Sequence, residues 1–218
     1  MTNNNILTGI DPEIIERLVA DDRQLLRSSA LKLGALASAP LVLAMASQEA
    51  FGQDMPAEVT DVLLFALTLE HIEDAFYRSG LSAKGLIPEK FVGIFNQIGK
   101  HEAAHVALLS GALGAKAIER PKLDLTAGGK YGDALTNFDT YLTLSQTFED
   151  LGVAAYKGQA GNLISSDDLL TVALQIHSVE ARHAAIVRKI GGKKSWDGAF
   201  DDPMTKEDVL AAAKPFLA

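Results

Sequence analysis

Two tetrapeptides of one form, Glu102-Ala103-Ala104-His105 and Glu180-Ala181-Arg182-His183, constrain this chain more than any other feature. Residues three apart on a helix differ by about 60° around its axis, so each tetrapeptide sets a carboxylate and an imidazole on one face. Their partners repeat as well. Glu70 lies 32 positions before Glu102, and Glu149 lies 31 positions before Glu180. Seven positions beyond Glu70 stands Tyr77, and seven beyond Glu149 stands Tyr156. The chain therefore reads as two copies of one unit: glutamate, tyrosine, then Glu-x-x-His.

The surrounding pattern is helical throughout. Pro56-Ala57-Glu58 opens a first helix running to about Ser79, with Gly80 and Gly85 as its breaks. A second is expected from Glu89 to Leu113 and a third from about Lys130 to Gly161. A fourth runs from the Ser165-Ser166-Asp167-Asp168 cap to Gly191-Gly192. No alternating strand pattern interrupts them, so the fold class is all-α, a four-helix bundle. Short turns join helices one and two, and three and four, into antiparallel hairpins. The segment from Ala115 to Gly129 is long enough to run the length of a bundle, which gives two hairpins and one crossover. A short fifth helix, Thr205 to Lys214, follows in a tail expected to lie outside the bundle.

Each key carboxylate interrupts its own helix's apolar stripe. Val59, Leu63 and Ala66 share the stripe of Glu70; Phe138, Leu142 and Ser145 share that of Glu149; Leu169, Ala173, Ile176 and Val187 flank Glu180 and His183. An unpaired ionised carboxylate in such a place is very costly, so four together call for cations. One Glu from each of two helices and one Glu-x-x-His from each of the others is a bundle-core recipe for a dinuclear metal site. The chain has no cysteine, which excludes thiolate zinc sites, iron–sulfur clusters and disulfides. Its net charge of −8 leaves no basic stripe for nucleic acid.

Two other readings compete. His101-Glu102-Ala103-Ala104-His105 has the zinc-hydrolase form, in which both histidines bind zinc and Glu102 is the base. It leaves Glu180, His183 and both tyrosines unexplained, finds no third ligand, and places His101 at the edge of the buried arc. The blander alternative is a bundle whose buried polar groups pair only with one another. Among lesser candidates, Glu73 reads as a surface or outer-layer residue because helix three has Gly152 at the matching place. His177, His71 and His101 are at most supports for ligands, while Asp74 and Asp150 are candidate partners for the ligand histidines.

With these residues in place, the segment from about Met55 to Gly191 resembles the ferritin-like superfamily of di-iron and di-manganese carboxylate proteins. The tail Phe200 to Leu210, ending in Lys214-Pro215-Phe216, is similar to a monodomain branch that includes plant desiccation-related proteins. The resemblance implies two iron ions, or manganese in their place. It implies terminal ligands at Glu70 and Glu149, bridging carboxylates at Glu102 and Glu180, and His105 and His183 on one metal each. Tyr77 and Tyr156 would sit beside the metals, as hydrogen-bond donors or redox groups. The implied chemistry is oxidation of Fe(II) by oxygen or peroxide, or peroxide disproportionation. A non-catalytic stress or desiccation protein with a structural or absent metal is the alternative. A homo-oligomer is compatible with the sequence, but a ferritin cage is not implied.

Residues 1–53 form a leader, 54–191 the bundle and 192–218 the tail. In the leader, Arg23 to Lys32 followed by the apolar run Leu33 to Ala46 resembles a twin-arginine export signal, with Ser28 where the second arginine would stand. The run is too short for a stable membrane span and reads equally as an alanine-rich helix. A working signal places the protein in the periplasm or outside the cell; otherwise it is cytoplasmic.

Overall fold

The structure, a computed structural model, describes residues 55–196 and 198–218. The leader and its export signal lie outside the described residues. Among the described residues are four long helices, α1 (Ala57–Ser82), α2 (Glu89–Leu113), α3 (Phe138–Gln159) and α4 (Asp167–Ile190), with a short α5 (Lys206–Ala213). α1 packs chiefly on α2 and α3 chiefly on α4, the two hairpins expected. No described helix is long and apolar enough to cross a membrane.

The bounds of α2 coincide with those expected, because Pro88 and Glu89 open it and Gly114, at φ 54°, closes it in a conformation that favours glycine. Two ends differ. α1 runs through Gly80 because the Tyr141 ring lies where a Cβ would stand, so this glycine permits a close helix–helix approach rather than a break. α3 begins at Phe138, well after Lys130. Asn137 caps it by accepting from the Asp139 amide at 3.0 Å, and Asp133 accepts from Asn137 Nδ2 at 2.8 Å. Gly128 and Gly129, both at positive φ, hold the preceding residues in turns.

The crossover is pinned at both ends. His71 Nε2 on α1 sits 3.3 Å from the Ile118 carbonyl. Further on, the Asp124 amide donates to Phe216 O and the Ala218 amide to Lys122 O, both at 2.9 Å. The tail is thus tied to the crossover, and it does more than lie outside. The Met204 amide donates to Ala154 O of α3 at 3.1 Å, where Gly158 leaves room for the passing backbone. Val209 and Phe216 are buried, and Phe216 meets Phe148 edge-on at 4.8 Å. Trp196 and Phe200 stay exposed.

The core divides into two parts. One is rich in aromatics, with Phe76, Tyr77, Phe95, Tyr141 and Phe148, and the other is aliphatic, with Val59, Leu63, Leu67, Leu109 and Ile176. Polar residues of all four long helices meet at the level between them.

A glutamate and histidine cluster between four helices

α1 supplies Glu70, α2 supplies Glu102 and His105, α3 supplies Glu149, and α4 supplies Glu180 and His183. All four carboxylates are 0% exposed. The apolar residues of their stripes explain this depth. Val59, Leu63 and Ala66 on α1 and Leu169, Ala173, Ile176 and Val187 on α4 are all buried, so their helices turn the glutamates inward with them.

The side chains form two quartets that share a pair of residues. Glu70, Glu102, His105 and Glu180 make one; Glu102, Glu149, Glu180 and His183 make the other, and within each the ligand atoms lie within 4.8 Å of one another. In the first, His105 Nδ1 is 3.2 Å from Glu70, 3.1 Å from Glu102 and 3.1 Å from Glu180. In the second, His183 Nδ1 is 3.0 Å from Glu102, 3.2 Å from Glu149 and 3.8 Å from Glu180. Two ligand atoms about 2.1 Å from one ion and at right angles are about 3.0 Å apart, so these spacings suit edges of a coordination shell. Glu102 and Glu180 each turn one oxygen to either quartet.

Hydrogen bonding alone does not satisfy the cluster. Each Nδ1 can donate one proton but faces three carboxylates. Glu102 Oε1, Glu149 Oε2, both oxygens of Glu180 and His183 Nδ1, though several lie 3.0–3.2 Å from one another across the cluster, are buried without a hydrogen bond of good geometry. Such atoms are rare in folded proteins, and here they gather at the two quartets, as ligands of a cation would. The donor set therefore fits hard or borderline divalent ions.

Electrostatics follow from the same crowding. Burial raises Glu70 to about 8, against the pull of His105, and burial likewise lifts Glu149 and Glu73 well above the carboxylate range. Burial also opposes ionisation of Glu102 and Glu180, yet the two imidazoles bring both below 4.5. Burial works against charge on His105 and His183 too, but the surrounding glutamates raise both well above 6.5.

The tyrosines cross over. Tyr77 on α1 donates its hydroxyl to Glu149 on α3, and Tyr156 on α3 donates to Glu70 on α1 at 2.5 Å. Each thus serves the glutamate of the opposite hairpin rather than the one it stacks with on its own helix. Both tyrosines lie C-terminal to the glutamate of their own helix, so this exchange requires α1 and α3 to run antiparallel. Burial, and next the carboxylate each one faces, raises both phenols well above 10.

The lesser candidates sort differently from their sequence reading. Glu73 is 3% exposed, not a surface group. A Cβ on Gly152 would lie 3.3 Å from Glu73 Oε1 and 3.3 Å from Glu180 Oε2, so the glycine on α3 makes the space that the fifth carboxyl enters. A glutamate paired across the repeat with a glycine is the signal for this. Asp74 and Asp150 hold Arg78, at 2.6 Å, and Arg188, at 2.9 Å, rather than the ligand histidines. His177 Nε2 has no hydrogen-bond partner. His101 belongs to neither quartet, so the two histidines of the zinc-hydrolase form do not share a site. It meets His183 instead, with Nδ1 2.8 Å from His183 Nε2. Burial, with His183 and His105 nearby, lowers it to about 4.

A helical bundle with a buried glutamate and histidine cluster that can hold metal defines the class of this protein. Residues 58–193 match the ferritin-like domain family, and the chain belongs to that family. None of the curated proteins compared with the chain matches it.

Proposed function

We propose that the protein binds two divalent ions per chain, iron first and manganese as the alternative, and acts as an oxidoreductase on Fe(II) with oxygen or peroxide as the acceptor. The observation that carries this reading is the pair of quartets joined through Glu102 and Glu180. Glu70 and Glu149 would each serve one ion, Glu102 and Glu180 both, and His105 and His183 one apiece through Nδ1. Two iron ions held there would supply two one-electron donors to a single acceptor molecule, while two manganese ions would serve peroxide disproportionation.

The chain's own groups fit that work. Burial of the four carboxylates keeps bulk water from competing for the ions. The Tyr77 and Tyr156 hydroxyls fix one oxygen of each terminal glutamate and leave the other turned to its quartet. Each phenol also holds a proton beside the site and is a candidate one-electron donor. The depth of all six side chains favours one second reading: a structural ion pair in a stress or desiccation protein without turnover. The same reading has the protein exported to the periplasm and associating with copies of itself, which cell fractionation and sedimentation test.

Anaerobic loading with Fe(II), followed by oxygen uptake and peroxide loss on an electrode, tests the reading. Turnover that disappears in the Glu102→Ala, Glu180→Ala double variant supports the oxidoreductase. Bound metal without turnover supports the structural protein, and one zinc ion lost in His101→Ala but kept in Glu180→Ala would restore the hydrolase.

A further inference from the structure

His101 lies at the edge of the buried arc, yet its ring meets that of His183 edge to edge and nearly in one plane. Its ring lies 5.1 Å from that of His183 with 12° between their planes, and its Nε2 is 2.7 Å from the amide nitrogen of Gln97 on the exposed side of α2. Gln97, His101 and His183 thus form one line from the surface to the second quartet. In the other copy of the repeat, the residue before Glu180 is Val179, which can make no hydrogen bond with its side chain.

We infer that His101 is a positioning residue for one ion of the pair, fixing the tautomer of His183 and giving that ion a hydrogen-bonded line to the surface. The inference rests on the metal reading above. Donor and acceptor counts fix the direction of the line. A neutral His183 that offers Nδ1 to an ion must carry its proton on Nε2. That N–H donates to His101 Nδ1, which must be a bare acceptor, so His101 holds its own proton on Nε2. With the Gln97 carboxamide turned end for end, its oxygen accepts that proton. Every member of the line then has one direction, set by the ion. In the opposite direction, Gln97 donates to His101 and His101 to His183, which leaves the His183 proton on Nδ1, where the ion would bind. The line therefore couples occupancy of the second quartet to the orientation of an exposed amide. The first quartet has no such lead from the equivalent position.

Mn(II) titration, followed by the paramagnetic resonance of the free ion, tests this in the full chain. His101→Phe keeps an aromatic ring at that place and removes the acceptor. His101→Asn places a carbonyl oxygen near the former Nδ1. We expect His101→Phe to raise one of two dissociation constants roughly 10- to 100-fold, as loss of such a partner commonly does, and leave the other unchanged. His101→Asn should restore most of the loss, whereas a pure packing role would rank the two variants the other way. The whole effect should persist in a Glu70→Gln background and vanish in Glu149→Gln, where the affected ion is already gone. Gln97→Leu, on the exposed face, should shift the same constant a few-fold and carries the test if His101→Phe fails to fold. Equal weakening of both ions, or native affinity in His101→Phe, overturns the inference alone. A native chain that binds neither Mn(II) nor, under anaerobic conditions, Fe(II) overturns the metal reading, and the inference with it.

Discussion

The two halves of the site hold the same ligand types but are set in different surroundings. Around His183, Tyr77 is sealed in the aromatic part of the core against Phe76, Phe95 and Tyr141, and His101 touches the ligand ring. Around His105, Tyr156 belongs to the aliphatic part, beside a cavity of about 20 Å³ lined by Leu63, Leu109, Leu169 and Ile176. Between them, Glu73 of α1 fills the space that Gly152 of α3 leaves. Ligand chemistry dictates one set of atoms wherever an ion sits, whereas packing, proton supply and access can differ from one ion to the other. Doubling the unit repeats the former, and the neighbours that differ would make two ions bound there inequivalent.

The largest test of this contrast removes what the halves share. Glu102→Ala with Glu180→Ala should abolish binding of both ions, measured as metal per chain after dialysis, because each residue belongs to both quartets. Next, Glu149→Gln should lose the ion at His183 and Glu70→Gln the ion at His105, each leaving one ion per chain. If either single change empties both positions, the halves are one unit and the contrast fails.

Acidity separates the two charge states of the cluster. In chelator-treated protein His105 and His183 are raised above 6.5 and Glu70 stands at about 8, so the fold holds protons that the unfolded chain releases. Stability from the histidines is present below 6.5 and lost as pH rises through their higher folded values. Raised Glu70 adds a loss between 4.5 and about 8. Thermal melting of the chelator-treated chain should therefore fall as pH rises from 6.5 through about 8. Mn(II) affinity should rise over the same interval, because ions displace those protons. A flat melting profile would contradict the assignment of charges.

Smaller effects probe the neighbours. Tyr77→Phe and Tyr156→Phe each leave a buried carboxylate oxygen without its donor, at about 1–3 kcal/mol in urea unfolding, with Tyr77 the costlier because it is 0% exposed against 8%. Gly152→Ala should cost about 1–3 kcal/mol by crowding Glu73 and Glu180, and Glu73→Ala in the same chain should return a good part of it. Full additivity of those two changes would separate the glycine from the carboxyl.

The helix order, the crossover and the six side chains that meet were all legible, because period and repeat are local properties of the sequence. Opening α3 at Asn137 rather than Lys130 was not, since it depends on Asp133 and glycine turns that a helical stripe can mimic. Gly80 read as a break because its use, room for the Tyr141 ring, involves a residue far along the chain. The same holds for Gly152 with Glu73 and for the tyrosines, whose exchange between α1 and α3 appears only when the helices are set antiparallel. His101 is the clearest instance. Its position one residue before Glu102 turns it to the edge of the buried arc, and only α4 supplies the ring that gives it a partner.

An anaerobic Fe(II) titration of the native chain, read as metal retained per chain against metal added, bears most directly on the shared-carboxylate centre. A break at two ions per chain, lost when Glu102 and Glu180 are both alanine, is the expected result. Retention of no ion, or of a single ion that survives the loss of Glu180, would contradict it.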